Sequence, residues 1–335
     1  MKVQKILLIQ TAFIGDVILG TAVIEKIHQH HPEANIDFLV RKGNEGLLEH
    51  HPLLNEVLVW DKQQQKKKNL LRMIKHIRQN RYDVVVNMQR FFATGLMTAF
   101  SRAPQRIGFD KNPLAFLFTK KVAYRYGDDI HEVDRVLSLI AHFTDNQRNR
   151  PKLYPSQAQF DKVAPYKQNT SYLCMAPTSV WFTKQFLQTR WIELLQTIEK
   201  RFTNPPQIYL LGAPGDKVAC EQIIEQSNYP KIKNLAGELS LLESAALMRD
   251  AQMNYVNDSA PMHLASSMNA PVCTIYCSTT PYFGYGPLSE NSTIVQVNDL
   301  DCRPCGLHGH KECPKGHFAC ANRIGIEELL ACLPS

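Results

Sequence analysis

The chain has 335 residues, 44% of them apolar, and its 38 basic and 31 acidic side chains give a net charge of +7. This length favours two domains with full hydrophobic cores, and 15 Phe, 12 Tyr and 3 Trp argue against a disordered chain. No apolar run reaches the roughly 18 residues of a membrane span, and residues 1–10 resemble a strand rather than a signal peptide. We therefore expect a cytoplasmic protein.

The positive charge is concentrated in the first half of the chain. Residues 1–160 carry 24 Lys and Arg against 15 Asp and Glu, a net charge of +9, whereas residues 161–335 carry 14 and 16, a net charge of −2. A basic half predicts an anionic partner, and nucleic acid, anionic lipid and a phosphorylated small substrate all fit. Nine cysteines in a cytoplasmic chain argue against a disulfide framework.

Short apolar strands alternate with helices along residues 1–147. The predicted strands lie at 3–10, 36–40, 57–60, 82–87 and 106–109, with helices after the first and second strands. Such alternation predicts a parallel sheet with crossover helices.

Residues 148–170 are polar and contain three prolines, which predicts a domain linker. The alternation then restarts, with strands at 172–176, 207–211, 252–257 and 271–276 and helices between them. A last amphipathic helix is predicted over residues 323–333. The class is therefore α/β, with two successive open-sheet domains and a cleft between them.

Gly15 and Asp16 lie at the turn between the first strand and its helix. Ligands of open α/β sheets bind outside the carboxyl ends of the strands, and Gly15 permits close approach of the backbone there. Asp16 has two interpretations, as a general base or as a helix cap, and spacing alone favours the cap. The turn has no GxGxxG pattern, so a dinucleotide site has no support.

Residues 257–263, Asn-Asp-Ser-Ala-Pro-Met-His, repeat this layout in the second half. The backbone N–H groups within residues 259–262, apart from Pro261, which has none, would form a phosphate site at the start of the helix. Asp258 would then meet sugar hydroxyls or orient the turn; alternatively it caps the helix and His263 is a packed side chain. Lys184, after the loop 177–183, is either a solvated lysine or a point charge for a pyrophosphate.

Residues 62–81 contain eight basic side chains and no acidic one. Leu70, Ile74 and Ile77 form one apolar stripe at helical spacing. Two interpretations stay open: an ordinary amphipathic helix with a solvated face, or a docking face for anionic lipid headgroups or phosphates.

A cluster of cysteines lies near the end of the chain: Cys302, Cys305, Cys313 and Cys320, with three histidines between them. One CxxC pair fits a structural zinc site, but the spacing of the second pair departs from the usual two to four residues. Reduced cysteines in a long loop are the alternative, and no base for a nucleophilic cysteine is identified.

Taken together, these motifs resemble the ADP-heptose:lipopolysaccharide heptosyltransferases of glycosyltransferase family 9. The resemblance covers nearly the whole chain, through residues 6–10, 14–17, 106–109, 131–135, 234–237 and 257–265. Two positions depart from the family pattern: Ala260 and Cys277 stand where the family usually has glycine. Both departures lie at the expected donor site.

The resemblance implies a GT-B fold with two facing Rossmann-like domains. The acceptor would bind to residues 1–155 and the nucleotide sugar to residues 171–321, with a C-terminal helix at 322–335 packing back on the first domain. It also implies an inverting transfer that requires no metal, with Asp16 as the general base. The implied donor-binding residues are Thr178, Ser179, Lys184, Asp216, Asp258, Ser259, Ala260 and His263.

We therefore predict transfer of heptose from ADP-heptose to a lipopolysaccharide core or other lipid-linked acceptor at the cytoplasmic face of the inner membrane. The acceptor-facing or membrane-facing residues would be Gly15, Lys66, Lys67, Lys68 and Arg72. We expect a monomer and, since no nucleic-acid motif is present, no nucleic-acid partner. The alternatives are another nucleotide sugar with a surface-polysaccharide acceptor, or a non-catalytic anion-binding scaffold of the same fold.

Overall fold

The protein is described from a computed structural model, which covers residues 4–127, 129–167 and 171–333. The chain divides into two compact units, Met1–Tyr154 and Pro155–Ser335. Each unit is built around one parallel sheet, as the alternation of strands and helices predicts.

The sheet of the first unit has six strands in the order β3-β2-β1-β4-β5-β6, all parallel. The strands are β1 (Lys5–Ile9), β2 (Asn35–Arg41), β3 (Glu56–Trp60), β4 (Val84–Asn87), β5 (Gln105–Phe109) and β6 (Lys120–Val122). Strand β1 lies at the centre, and Ile6 to Ile9 are fully buried. A parallel sheet covered on both faces requires such an unbroken apolar run.

The helices of this unit are α1 (Ile14–His30), α2 (Lys66–Asn80), α3 (Phe92–Ala99) and α4 (Glu132–Ser138). Helix α2 confirms the predicted stripe, because Leu70, Ile74 and Ile77 pack against the cluster that contains Leu7 and Leu58. The helix predicted after β2 is only a 3-10 turn, Glu45–Leu47.

The second unit has a six-stranded parallel sheet in the order β12-β11-β10-β7-β8-β9. Its strands are β7 (Tyr172–Ala176), β8 (Gln207–Leu210), β9 (Ile232–Asn234), β10 (Met253–Asn257), β11 (Val272–Tyr276) and β12 (Ser292–Gln296). Its helices are α5 (Gln157–Val163), α6 (Gln188–Arg201), α7 (Lys217–Ser227), α8 (Leu241–Arg249), α9 (Ala260–Ser267), α10 (Ala319–Asn322) and α11 (Ile326–Leu330).

The linker predicted over residues 148–170 is wrong for residues 157–167, which form α5 and a 3-10 turn. Helix α5 packs against α8, with Val163 fully buried. Lys167 fixes the turn, since its Nζ donates to Ala246 O at 2.9 Å and Asp250 Oδ2 at 2.6 Å. The segment is polar because only one narrow face is buried. Residues 168–170 of the predicted linker lie outside the described residues, as do residue 3 of the first predicted strand and residues 334–335.

The C-terminal segment is built into the core of the second unit. Ile326, Leu329 and Leu330 are buried there, and α11 packs against α6. The Tyr255 hydroxyl also donates to Leu329 O at 2.8 Å. The further expectation that residues 322–335 pack back on the first domain stays a prediction.

Both sheets reverse their strand order at the centre, between β1 and β4 in the first and between β7 and β10 in the second. Such a reversal opens a crevice at the carboxyl ends of the strands, where ligands of doubly wound sheets bind. Among the described residues, no helix is both long enough and apolar enough to cross a bilayer.

Candidate functional site

Asp16 lies in the first turn of α1, just beyond the carboxyl end of β1. Its Oδ2 accepts a hydrogen bond from the Phe13 N–H at 3.2 Å, and its side chain is partly buried. A carboxylate in this position also interacts favourably with the helix dipole. Asp16 is therefore not the N-cap residue, which is Phe13; it is the third helical residue, and its carboxylate binds the N–H of the N-cap. Because a carboxylate has several acceptor sites on its two oxygens, this contact is compatible with a role as a base.

Cations surround the turn that carries Asp16. The Lys62 ammonium donates to Thr11 O, and the Arg41 guanidinium lies 4.9 Å from the centre of the Phe13 ring. Burial, and then repulsion from Arg41 and Lys66, lowers the pKa of Lys62. The turn is thus a positively charged environment suited to an anionic ligand. Sequence reasoning missed Arg41 because it ends β2, and only the strand order brings that end beside β1.

The basic face of α2 is open to solvent. Lys66, Lys67, Lys68 and Arg72 are all exposed, and none of them forms an ion pair with a described residue. The three lysines occupy the first turn, where the helix dipole disfavours positive charge. Their clustering therefore does not serve the helix itself. Gly15, the other predicted acceptor residue, lies partly buried in the first turn of α1.

The second unit brings Lys184 and Asp258 into an ion pair. Lys184 Nζ lies 2.7 Å from Asp258 Oδ2, with 16% and 9% of the two side chains exposed. The Thr279 hydroxyl donates to the same Oδ2 at 2.6 Å. The three residues follow β7, β10 and β11, which are neighbours in the sheet, so the strand order explains their meeting. Asp258 is thus the partner of the predicted phosphate-binding lysine.

Asn257, the last residue of β10, holds the loop that leads to Lys184. It is fully buried; its Oδ1 accepts from the Phe186 N–H at 2.8 Å, and its Nδ2 donates to Pro177 O at 2.9 Å and Thr178 O at 3.4 Å. Thr178 and Ser179 lie partly buried on this loop. Sequence reasoning missed Asn257, although a buried amide directly before Asp258 at a strand end was the available signal.

Helix α9 begins where the sequence predicts a phosphate site. Ser259 takes the N-cap position in extended conformation, Ala260 is the first helical residue and Pro261 follows, as helix starts favour. Asp258 is therefore not the N-cap residue. His263 is 5% exposed, and its ring lies 6.5 Å from that of Tyr285, so it is a packed side chain.

Asp216 lies at the same edge of the sheet, in the 3-10 turn Pro214–Asp216 beyond β8. Its Oδ2 accepts from the Ala213 N–H at 2.7 Å. A Cβ at Gly212 would lie 2.8 Å from Asp216 Cβ, so glycine is needed for this close approach. The structure thus places Asp216 beyond β8, which neighbours β7 in the sheet, and outside the Lys184–Asp258–Thr279 contacts.

Comparison with known proteins decides the family. The family model described as "Glycosyltransferase family 9 (heptosyltransferase)" matches residues 70–317. The chain belongs to glycosyltransferase family 9. The predicted family and enzyme class are thereby confirmed.

Relatives of this family 9 enzyme match over most of their length. It is 25% identical to "Lipopolysaccharide heptosyltransferase 3" of Escherichia coli over 303 residues, which cover 86% of this chain and 87% of that protein. Among solved structures it resembles "E. coli ADP-heptose lps heptosyltransferase II" (TM-score 0.77, 20% identity, 98% of each chain) and "E. coli heptosyltransferase WaaC with ADP" (TM-score 0.75, 17% identity, 98% of this chain and 99% of that one). These likenesses confirm the predicted α/β class and GT-B fold.

The two departures from the family pattern have different surroundings in this glycosyltransferase. Ala260 is partly buried at the start of α9. Cys277 is fully buried directly after β11, and burial raises its pKa well above the ordinary value. Cys277 is therefore a core side chain just beyond the end of β11.

The cysteine-rich part of this enzyme does not support the zinc interpretation. Among the described residues, no group of three or more His, Cys, Asp or Glu side chains is arranged to hold a metal ion. Cys302 Sγ lies 4.0 Å from His317 Nε2, and the Cys305 thiol donates to Cys302 O at 3.0 Å. Burial raises the pKa of Cys305, and that of Cys320 to about 11. Three of the four cysteines lie in the loop before α10, whereas Cys320 is buried in α10 itself.

Proposed function

We propose that this glycosyltransferase moves heptose from ADP-heptose to a lipopolysaccharide core or another lipid-linked acceptor, with inversion at the anomeric carbon. The observation that carries the proposal is the set of contacts among Lys184, Asp258 and Thr279. These side chains lie at the strand reversal of the second sheet, where nucleotides bind in doubly wound folds. Two related structures, E. coli heptosyltransferase WaaC with ADP and with ADP-2-deoxy-2-fluoro heptose, support the same donor.

On the donor side, Lys184 would neutralise the diphosphate. Its ammonium has three N–H donors, of which one faces Asp258, and the N–H groups of Ser259 and Ala260 at the start of α9 would bind further phosphate oxygens. Asp258 would accept from a sugar hydroxyl, and the Thr178–Ser179 loop and Asp216 would contact the rest of the nucleotide. These fixed charges stabilise the departing diphosphate, so the proposed step needs no metal ion.

On the acceptor side, Asp16 would remove the proton from the attacking hydroxyl. The oxygen then bonds to the anomeric carbon while the bond from that carbon to the diphosphate oxygen breaks, and ADP leaves. One displacement of this kind requires a single base and inverts the configuration. The cations Arg41 and Lys62, which contact Phe13 and Thr11 of the turn, favour an anionic acceptor.

The exposed basic face of α2 would hold the enzyme against the anionic cytoplasmic face of the inner membrane, where a lipid-linked acceptor is presented. A second candidate function keeps the reaction and changes the donor, because Ala260 and Cys277 alter the family pattern at the donor edge. The acceptor would then be a different surface saccharide.

A panel of nucleotide sugars tests the function. We expect release of ADP from ADP-heptose in the presence of a lipid-linked acceptor, and no comparable turnover of UDP-linked or GDP-linked sugars. Turnover of another nucleotide sugar alone would favour the second candidate. Asp16→Asn keeps a side-chain oxygen for the Phe13 N–H, so we expect intact folding and ADP binding with turnover lower by about 10²–10⁴-fold. Turnover close to wild type would remove the role of base from Asp16.

A further inference from the structure

The cysteine-rich segment, residues 298–318, lies against the loops that carry Lys184 and Thr279. The Thr183 N–H donates to His310 O at 3.1 Å, and the His310 N–H donates to Thr183 Oγ1 at 2.7 Å. The Cys305 N–H donates to Ser278 O at 2.9 Å. Gly309 has a φ of +80°, and a Cβ there would lie 3.0 Å from Lys184 Cγ. This segment therefore forms part of the wall around the Lys184–Asp258 pair.

Arg303 provides the strongest contacts of this segment. Its Nε and Nη2 donate to Thr279 O at 3.0 and 2.6 Å, and its Nη1 donates to Val297 O at 2.7 Å. A further bond reaches Gln296 Oε1. Hydrogen bonds from a charged donor are stronger than those between neutral groups, and the planar guanidinium fixes their directions. Arg303 thus locks the backbone of Thr279 to the end of β12.

Arg303 bears an uncompensated charge. Within the part of the chain that the structure describes, no carboxylate lies within ion-pair distance of its guanidinium, and burial lowers its pKa. Removing a cation from water without a carboxylate is costly, and neutral carbonyls offset this cost only in part.

Thr279 connects Arg303 to the Lys184–Asp258 ion pair. Its side chain is 1% exposed, and its hydroxyl donates to the Asp258 oxygen that binds Lys184. Three successive contacts therefore join the Arg303 guanidinium to the Lys184 ammonium. A shift of the Thr279 backbone would move its hydroxyl and release the Asp258 carboxylate from its orientation.

We infer that Arg303 is a positioning residue of the donor site. By holding Thr279 it sets the Asp258 carboxylate and the Lys184 ammonium in the arrangement that receives the diphosphate of a nucleotide sugar. The inference rests on the proposed function of the Lys184–Asp258 pair. It also gives the cysteine-rich segment a role as a structural wall of that site.

The test combines variants of Arg303 and Thr279 in order to distinguish a positioning role of Arg303 from a general effect on stability. Arg303→Lys keeps the charge but not the fork of donors, and Thr279→Val removes the hydroxyl while keeping the shape. Since misplacement of about 1 Å costs on the order of 10²-fold in rate, we expect each change to lower kcat/KM for ADP-heptose by about 10–100-fold. The loss should appear in the KM for the donor, with the KM for the acceptor unchanged. Thr279→Ser should restore activity.

The double variant Arg303→Lys/Thr279→Val shows whether Arg303 acts through Thr279 or independently of it. If Arg303 acts through Thr279, the double variant loses no more than the Thr279→Val variant. Losses that multiply would overturn the inference, as would a lower Tm of the Arg303→Lys protein with an unchanged KM for ADP-heptose. Arg323→Lys is the matched control, because Arg323 pairs with the exposed Asp299 elsewhere on this part of the chain.

Measurements on the wild-type protein distinguish failure of the proposed function from failure of the positioning role of Arg303. Wild-type protein that neither binds ADP in calorimetry nor releases it from ADP-heptose would refute the proposed function, and this inference with it. Wild-type activity together with unaffected Arg303→Lys and Arg303→Gln proteins would refute the positioning role alone.

Discussion

Lys184 and Asp258 form a 2.7 Å ion pair in which both side chains are largely buried. A lysine that binds phosphate as an isolated cation would be mobile, whereas this one is held by a carboxylate that is itself fixed by Thr279. The pair is nearly neutral until a ligand arrives. Under the proposed function, the pair would therefore orient the Lys184 ammonium toward the donor as well as supply its charge.

Lys184→Met should weaken ADP binding by tenfold or more, because the diphosphate loses its nearest cation. It should also destabilise the protein by roughly 1–3 kcal/mol, since Asp258 is left as an unpaired carboxylate. Calorimetry and thermal unfolding measure the two effects. Adding Asp258→Asn should restore stability but not binding. Recovery of ADP affinity in that double variant would contradict the assignment of Lys184.

Replacing Lys66, Lys67 and Lys68 by Gln should reduce binding to anionic vesicles. A lysine near an anionic surface contributes about 1 kcal/mol, so three changes should lower the partition coefficient by about 100-fold. The lysines are exposed, so folding should be unaffected. Co-sedimentation with phosphatidylglycerol vesicles measures the effect. Changing the exposed Lys217, Lys233 and Lys315 to Gln is the charge-matched control. Equal losses, or binding indifferent to salt, would reject a docking face on α2.

The burial of His51 predicts that the folded protein loses stability in weak acid. It is 5% exposed, its ring packs on Tyr154 at 4.7 Å, and burial lowers its pKa from 6.5 to about 4. Between these two values the unfolded chain binds a proton that the folded chain excludes. Stability should therefore fall as the pH drops from 6.5 to 4, by up to about 3 kcal/mol. Urea unfolding at several pH values measures this, and His51→Asn should flatten the curve.

The neighbouring His50 provides the control for that experiment. Its side chain is exposed, so His50→Asn should leave the pH dependence as in the wild type. If His51→Asn unfolds with the wild-type pH profile, then His51 does not carry the effect.

Cys273 and Cys332 should form a disulfide under mild oxidation. Their sulfurs lie 3.2 Å apart, and the hydrogen bond between them lowers the pKa of Cys332 to about 7 while that bond and burial raise the pKa of Cys273. The Cys332 thiolate would attack hydrogen peroxide and break its O–O bond, giving a sulfenic acid and hydroxide. The Cys273 thiol would then attack the sulfenic sulfur and form the S–S bond, and the S–O bond would break to release water. Mass spectrometry should show a linked peptide pair whose mass is about 2 Da below the sum of the two reduced peptides. Its yield should rise as the pH is raised towards 7.

Cys332→Ser should abolish the linked pair, and Cys302→Ser should not. A stable sulfinic acid on Cys332 in place of the linked peptides would show that Cys273 does not reach it.

The sequence by itself determined the α/β class, because apolar runs such as Ile6 to Ile9 report a strand buried on both faces. It also placed Asp16, Lys184 and Asp258 close to strand ends, where ligands of such folds bind. It missed the short strands β6, β9 and β12 and the helix α5, since each buries too few side chains to show a periodic pattern. The polar composition of residues 157–167 instead predicted a linker.

Only the tertiary structure decided which strand ends meet. Asp258 takes Lys184 and Thr279 as partners because β10 lies between β7 and β11, and Arg41 and Lys62 lie near Asp16 because β2 and β3 follow β1 in the sheet. The connection of Arg303 to Thr279 likewise depends on how a long loop returns to the sheet. Local periodicity reports the burial of each element, whereas neighbours in a sheet are chosen by packing between residues far apart in the chain. The sequence therefore indicated single residues with suitable side chains, but it did not indicate which of them contact each other.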